Sequence, residues 1–238
     1  MPTKRTSKNK QDIDPTREEF VRLREGLIAY MQQTQALRSS LLTKAFLEIP
    51  REHFLQEAYR MHAYEDMSVP TLGNESTSQP RVLAQMIELL DVQEGMRVLE
   101  VGSGSGYALA LLSKLVGAKG HAFGVDSNPE LVRFSMKKLK ELKLKNVNVV
   151  EGDGALGLEK EAPFDRILVS AAVPFVPPAL FKQLKEKGHI IAPIGDSFSQ
   201  QLLKMSKFQG KIIKREIEGN LYEFSPLLSK TLQLKRVE

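Results

Sequence analysis

MRVLEVGSGSGYALALL, residues 96–112, runs from the apolar stretch Val98–Val101 through three glycines at alternate positions into a helical pattern. An apolar run that ends in glycines before a helix-forming segment predicts a strand, a tight turn and a helix start. One glycine is enough for such a turn. Three, at Gly102, Gly104 and Gly106, predict a backbone that a ligand can approach closely. The dinucleotide fingerprint G-x-G-x-x-G is not met, because its third glycine would fall on Tyr107. The pattern present is acidic-x-G-x-G-x-G, and it begins at Glu100.

Moving outward, HAFGVD (121–126), NVNVVEGD (146–153), DRILVS (165–170) and HIIAPIG (189–195) are further candidate strands. Helical stretches lie between them at 107–115, 129–142 and 178–184. Strands alternating with helices predict an α/β, Rossmann-like, doubly wound and mostly parallel sheet. QLLKMSKF and KIIKREIE, joined at Gln209-Gly210, predict an antiparallel hairpin at one sheet edge. Upstream, Phe20, Leu23, Leu27 and Met31 form one helical stripe, and Leu41, Leu42, Ala45 and Phe46 a second. Together they predict an N-terminal helical extension reaching about Tyr59, in which Ile49-Pro50 stops the second helix. Residues 61–79 lack periodicity and read as a long, functional loop. From Pro80, the residues Val82, Leu83, Met86, Ile87 and Leu90 share one helical face. The expected organisation is a disordered basic tail over 1–14, helices and a substrate-side loop over 15–79, and a ligand-binding core over 80–238. All of it is expected to form a single structural domain.

Two more acidic residues fall at strand ends. Asp126 lies about twenty residues beyond the glycine loop, where a carboxylate can accept from both hydroxyls of a ribose. It could also cap the next helix, although Ser127 and Asn128 are available for that. Asp153, between two glycines, could accept from an adenine amino group or simply form an Asp-Gly turn.

The order of these motifs resembles the protein-L-isoaspartate (D-aspartate) O-methyltransferases, which are class I S-adenosylmethionine-dependent methyltransferases. The resemblance covers roughly residues 35–228 and rests on IPREHF, AYEDM, SQPRVLAQMIELL, VLEVGSGSGYALALLSKLVG, EGDGALGLEKEAPFDRILVSAA, LKEKGHIIAPIG and FSPLL. It implies methyl transfer from S-adenosyl-L-methionine to the α-carboxyl of isoaspartyl residues in damaged proteins or peptides. The ester then closes to a succinimide, and hydrolysis returns some normal aspartate. It places the catalytic serine at Ser78. It places cofactor contacts at Thr77 and Ser78, on Glu100, Gly102, Ser103, Gly104 and Gly106, and on Asp126, Asp153 and Gly154. A carboxylate acceptor is already ionised at neutral pH, so no strong base is required. Pro80 fits the first turn of its helix, with Ser78 or Gln79 at the cap position. That helix start is expected to favour an incoming anion.

The chain leaves the pattern mostly on the acceptor side. The usual loop Pro-x-Gly-x-Gly-Gln-Thr-Ile-Ser reads here Pro70-Thr-Leu-Gly-Asn-Glu-Ser-Thr-Ser78, which puts Glu75 where glutamine is usual. Ser225 stands in place of a valine. These changes keep two alternatives open: a paralogue that methylates another carboxylate, and a cofactor-binding module without repair activity.

The 238 residues carry no cysteine and four scattered histidines, so no disulfide, thiolate nucleophile or metal site is expected. The net charge of +5 is concentrated in the tail, in Lys137–Lys145 and at Lys235-Arg236. Solvated faces account for it, and nucleic acid is not an expected partner. With no long apolar run and no signal-like segment, a cytoplasmic, membrane-free monomer is expected.

Overall fold

The short β-branched and apolar run Arg97–Val101 forms β1, whose side chains alternate between the two faces of the sheet. Val98 joins the core on one face, while Leu99 and Val101 join the core on the other. The structure is a computed structural model that describes residues 15–72, 75–196, 199–217 and 222–233. The expected basic tail, Gly73 and Asn74 of the loop, and Lys235-Arg236 lie outside the described residues.

Around β1 lie β2 (His121–Asp126), β3 (Val147–Glu151), β4 (Phe164–Val169), β5 (Leu184–Gly195), β6 (Gln200–Phe208) and β7 (Lys211–Glu216). Their order is β3-β2-β1-β4-β5-β6-β7. The first five are parallel, β6 pairs antiparallel with β5, and β7 pairs antiparallel with β6. The edge hairpin thus forms as expected, and its turn residues Gln209 and Gly210 both have positive φ, as a tight right-twisting hairpin needs. Strand order reverses between β1 and β4. In sheets of this kind, the crevice beyond the strand carboxyl ends at that point is where ligands bind.

The helices are α1 (Pro15–Gln33), α2 (Ser40–Glu48), α3 (Pro80–Leu90), α4 (Tyr107–Val116), α5 (Pro129–Glu141), α6 (Pro178–Gln183) and the short α7 (Lys230–Gln233). α1 packs on α2, and α2 packs on α4. The buried stripes of this extension differ from expectation at two residues. Leu23 and Leu41 are exposed, and Ile28 takes part in the buried stripe instead. Arg24 lies beside Leu23 and reaches inward to the Tyr64 hydroxyl at 2.7 Å and to Glu52 at 3.1 Å. After Pro50, the helical pattern breaks into two 3₁₀ turns, Arg51–Phe54 and Glu57–His62.

α3 buries all five residues of its expected stripe. Both of its ends are held by side chains from elsewhere in the chain. At the start, Gln79 occupies the cap position without a side-chain cap bond. Asp66 substitutes for it, with Oδ1 accepting from the Arg81 amide at 2.9 Å and Oδ2 accepting from Gln79 Nε2 at 2.9 Å. At the far end, the left-handed Asp91 stops the helix. There Lys204 Nζ donates to the Leu89 carbonyl at 2.7 Å, and Arg166 Nε donates to the Leu90 carbonyl at 2.7 Å. Cations on the last carbonyls satisfy the helix's free acceptors and oppose its dipole.

Candidate functional site

The loops that leave β1, β2 and β4 surround a cavity at the switch point. Gly102 and Gly104 line it from β1, Asp126 from β2, and Ser170 from β4. Thr77 and Ser78, just before α3, close it from the N-terminal side. The C-terminal segment Tyr222–Leu228 crosses over it. That segment is tied down by Ala172, whose amide donates to the Ser225 carbonyl and whose carbonyl accepts from the Leu227 amide, both at 2.8 Å.

The glycine loop has the conformation its sequence predicts. Gly102, Gly104 and Gly106 have φ of 75°, 51° and 87°, a region that disfavours side chains. Asp126 binds the loop directly: its Oδ2 accepts from the Gly104 amide at 2.8 Å and its Oδ1 from the Asn128 amide at 2.9 Å. Asn128 caps α5 through its side chain. Asp126 is therefore left at the cavity edge, and each of its oxygens keeps a lone pair.

Glu100 and Ser103 stand behind this lining. Glu100 is fully buried; its Oε1 accepts from the Ser170 hydroxyl at 2.7 Å, while its Oε2 has no partner. The Ser103 hydroxyl is also buried without a partner, packed where Gly124 lacks a side chain. Unpaired buried polar atoms beside a cavity fit a polar ligand that completes them. Burial pushes the Glu100 carboxyl from 4.5 up to about 8, against the lowering effect of the Ser170 hydroxyl. The folded protein thus keeps a proton that the unfolded chain releases above 4.5. This contribution to stability is full below 4.5 and is lost as pH rises through 8. Glu100→Gln is expected to flatten that part of the pH profile, as measured by urea unfolding of the ligand-free protein between those limits.

The Thr77 hydroxyl and the Asp153 carboxylate both carry bonds within the protein, although Thr77 lines the cavity. Asp153 does not line the cavity. Its Oδ1 caps a 3₁₀ turn through the Ala155 amide at 2.9 Å, and its Oδ2 accepts from the Ser229 and Thr231 hydroxyls at 2.9 and 3.0 Å. These bonds hold its carboxyl below its ordinary value despite partial burial. Gly154 does line the cavity, and a Cβ there would meet Val101 at 2.7 Å and Leu227 at 3.2 Å. The Thr77 hydroxyl accepts from Arg51 at 2.8 Å and from the Val69 amide at 3.2 Å. Gly106 packs against Ser135 of α5, away from the lining. The helix start expected to favour an incoming anion already carries one, the Asp66 carboxylate.

Arg51 belongs to the IPREHF motif, which by itself signals no role for it. It is 1% exposed. Its guanidinium donates to the Ala63 carbonyl at 2.7 Å, to Thr77 Oγ1 at 2.8 Å and to the Ser78 carbonyl at 3.2 Å. It therefore ties both ends of the acceptor-side loop together. The detectable signal was an arginine directly after a helix-stopping Ile-Pro, a place where side chains fold back. Ser170 had no signal beyond its place at a strand end.

Comparison with known proteins agrees with this geometry. The family model described as protein-L-isoaspartate(D-aspartate) O-methyltransferase matches residues 22–231. A protein-L-isoaspartate O-methyltransferase of Methanothrix thermoacetophila is 40% identical over 192 residues, covering 81% of this chain and 90% of the relative. One from Methanopyrus kandleri is 39% identical over 210 residues, covering 88% and 92%. A solved protein-L-isoaspartate O-methyltransferase, 33% identical, superposes with a TM-score of 0.80 over 90% of this chain and 69% of that one. A Plasmodium falciparum structure described as a putative enzyme of this kind in complex with S-adenosyl-L-homocysteine has a TM-score of 0.75. It is 24% identical, covers 87% of this chain and 99% of that one, and shares the fold. With the family model spanning nearly the whole described chain and relatives this similar along most of their length, the protein belongs to the protein-L-isoaspartate(D-aspartate) O-methyltransferase family.

Proposed function

We propose that this protein transfers a methyl group from S-adenosyl-L-methionine to the α-carboxyl of isoaspartyl residues in peptides or proteins. The observation that supports this reading is a single cavity that brings Ser78 together with the glycine loop and Asp126. The cofactor supplies an electrophilic methyl group on a sulfonium. Gly102, Gly104 and Gly154 let it approach the backbone, and Asp126 offers acceptors to its ribose. The carboxyl of Glu100 and the hydroxyl of Ser103 stand behind the loop as unpaired polar groups for its amino-acid end. Asp153 acts here by anchoring α7, so recognition of the adenine falls to the backbone around Gly154 and to Leu227.

The acceptor carboxylate needs no general base, because it is ionised at neutral pH. It needs to be held in line, about 3 Å from the methyl carbon. The Ser78 hydroxyl donates to one carboxylate oxygen and leaves the other as the nucleophile. Arg51 holds Ser78 in place through its carbonyl. Ser78→Ala is expected to lower turnover while cofactor affinity stays within about tenfold, measured as kcat against the dissociation constant of S-adenosyl-L-homocysteine. Unchanged turnover would reduce Ser78 to a helix-start residue.

The reaction itself is tested with radiolabelled cofactor and paired peptides that differ only in isoaspartate or aspartate. Base-labile label in the isoaspartyl peptide alone is the expected result. Label in neither, with cofactor bound, would overturn the assignment. Among the described residues, no helix is long and apolar enough to cross a membrane.

A further inference from the structure

We propose that Glu75 sets the acceptor preference of this cavity, selecting isoaspartyl segments that carry a lysine or arginine next to the reacting residue. The inference rests on the isoaspartyl reading above and concerns which isoaspartyl sites are taken.

The cavity that Ser78 lines is richer in acidic than in basic side chains. Glu75, Asp126 and Glu223 line it, against a single cationic side chain, Arg81. Arg81 is already engaged, with Nε 3.2 Å from Asp66. Asp126 is engaged by the Gly104 and Asn128 amides. Glu223 is exposed, where water screens it. Glu75 differs from all three. It is half-buried, its backbone is fixed by the Pro70–Ser76 bridge and by the Thr71 amide at 2.7 Å, and Ser225 lines the same cavity. Burial, and to a lesser degree the nearby Asp126, raise its pKa, against the lowering effect of the Ser225 hydroxyl.

Glu75 and Ser225 are two places where the chain leaves the pattern it resembles, and the fold brings both to the lining of one cavity. A carboxylate entering beside Glu75 meets like charge in a poorly screened space. An acceptor that brings its own cation resolves this: its carboxylate goes to Ser78 and its ammonium or guanidinium to Glu75. The isoaspartyl linkage adds one methylene to the usual Cα spacing of about 3.8 Å, and a lysine or arginine side chain on the next residue is long enough to reach the same wall. The overall charge of +5 would attract acidic peptides. The local wall reverses that preference at the point of reaction.

The test compares three isoaspartyl peptides that differ only in the next residue, which is lysine, alanine or glutamate. Methyl incorporation by the full chain is expected to favour lysine over glutamate by about tenfold in kcat/KM at low salt, with the ratio shrinking at high salt. Glu75→Gln is expected to bring the ratio within about twofold while the cofactor KM stays in place. Ser225→Ala, which removes a hydroxyl that favours the charged form of Glu75, should shrink the ratio in part, and it serves if the first variant does not fold. A ratio that neither variant alters overturns the inference. So does a raised cofactor KM with the ratio intact, which would put Glu75 on the cofactor. Equal methylation of all three peptides overturns this inference alone, and methylation of none overturns the assigned reaction with it.

Discussion

Replacing Arg51 with methionine is expected to abolish methyl transfer and to lower unfolding stability by about 3 kcal/mol or more. The side chain is buried, and burial lowers its pKa only against the pull of Tyr107, Tyr64 and Asp66. Removing it strips partners from the Ala63 carbonyl, the Thr77 hydroxyl and the Ser78 carbonyl at once. Buried acceptors left without donors cost more than the bonds contributed when made. Methionine fills much of the space, so the loss isolates the guanidinium. Arg51→Lys keeps the charge but offers one compact ammonium, which cannot span the Ala63 and Thr77 acceptors as a planar fork does. It should recover stability in part and turnover hardly at all. Urea unfolding and turnover measured on the same preparations check this. A methionine variant with full turnover would show that Ser78 is held by something other than Arg51.

Gly106→Ala carries the second large effect. The residue has φ of +87°, and a Cβ would come within 2.8 Å of Ser135 Cβ and 3.5 Å of Ser135 Cα. Ser135 cannot yield, since it is fully buried and its hydroxyl is bonded to the Val132 carbonyl at 3.0 Å. Left-handed strain of about 1–2 kcal/mol adds to overpacking of about 1–3 kcal/mol, so the expected loss is several kcal/mol. The strain would also shift the loop that faces the cofactor. Gly104→Ala is the informative contrast. Nothing lies within 4 Å of its Cβ position, and the residue lines the cavity. It should cost cofactor affinity with much less loss of stability. Calorimetry together with titration by S-adenosyl-L-homocysteine separates the two variants. Equal melting temperatures would contradict the packing argument.

The sheet, its hairpin edge and the glycine loop were legible because each is written in a short window. Val98–Val101 followed by glycines defines β1 and its turn, and Gln209-Gly210 between two apolar runs defines the hairpin. The parts that were not legible depend on partners far away in sequence. Asp153 looked free for a ligand until the fold brought Ser229 and Thr231 to it across 76 and 78 residues. Leu23 fitted a helical stripe, but the inward position beside it goes to Arg24, which satisfies Tyr64 and Glu52. Asp66 caps a helix that starts fourteen residues later, and no local rule connects the two. Glu75 stands out as an unusual charge, but nothing near it in the chain signals that Ser225, 150 residues on, shares its cavity.

The anchoring of α3 has a mechanical consequence. Asp66 holds the helix at one end, and Arg166 and Lys204 at the other, so it is fixed like an axle in two bearings. The start of the helix is then set without help from the stretch between Val69 and Thr77. Changes of sequence in that stretch are insulated in the same way. The protein can exchange one acceptor preference for another there while the wall that receives the cofactor keeps its shape.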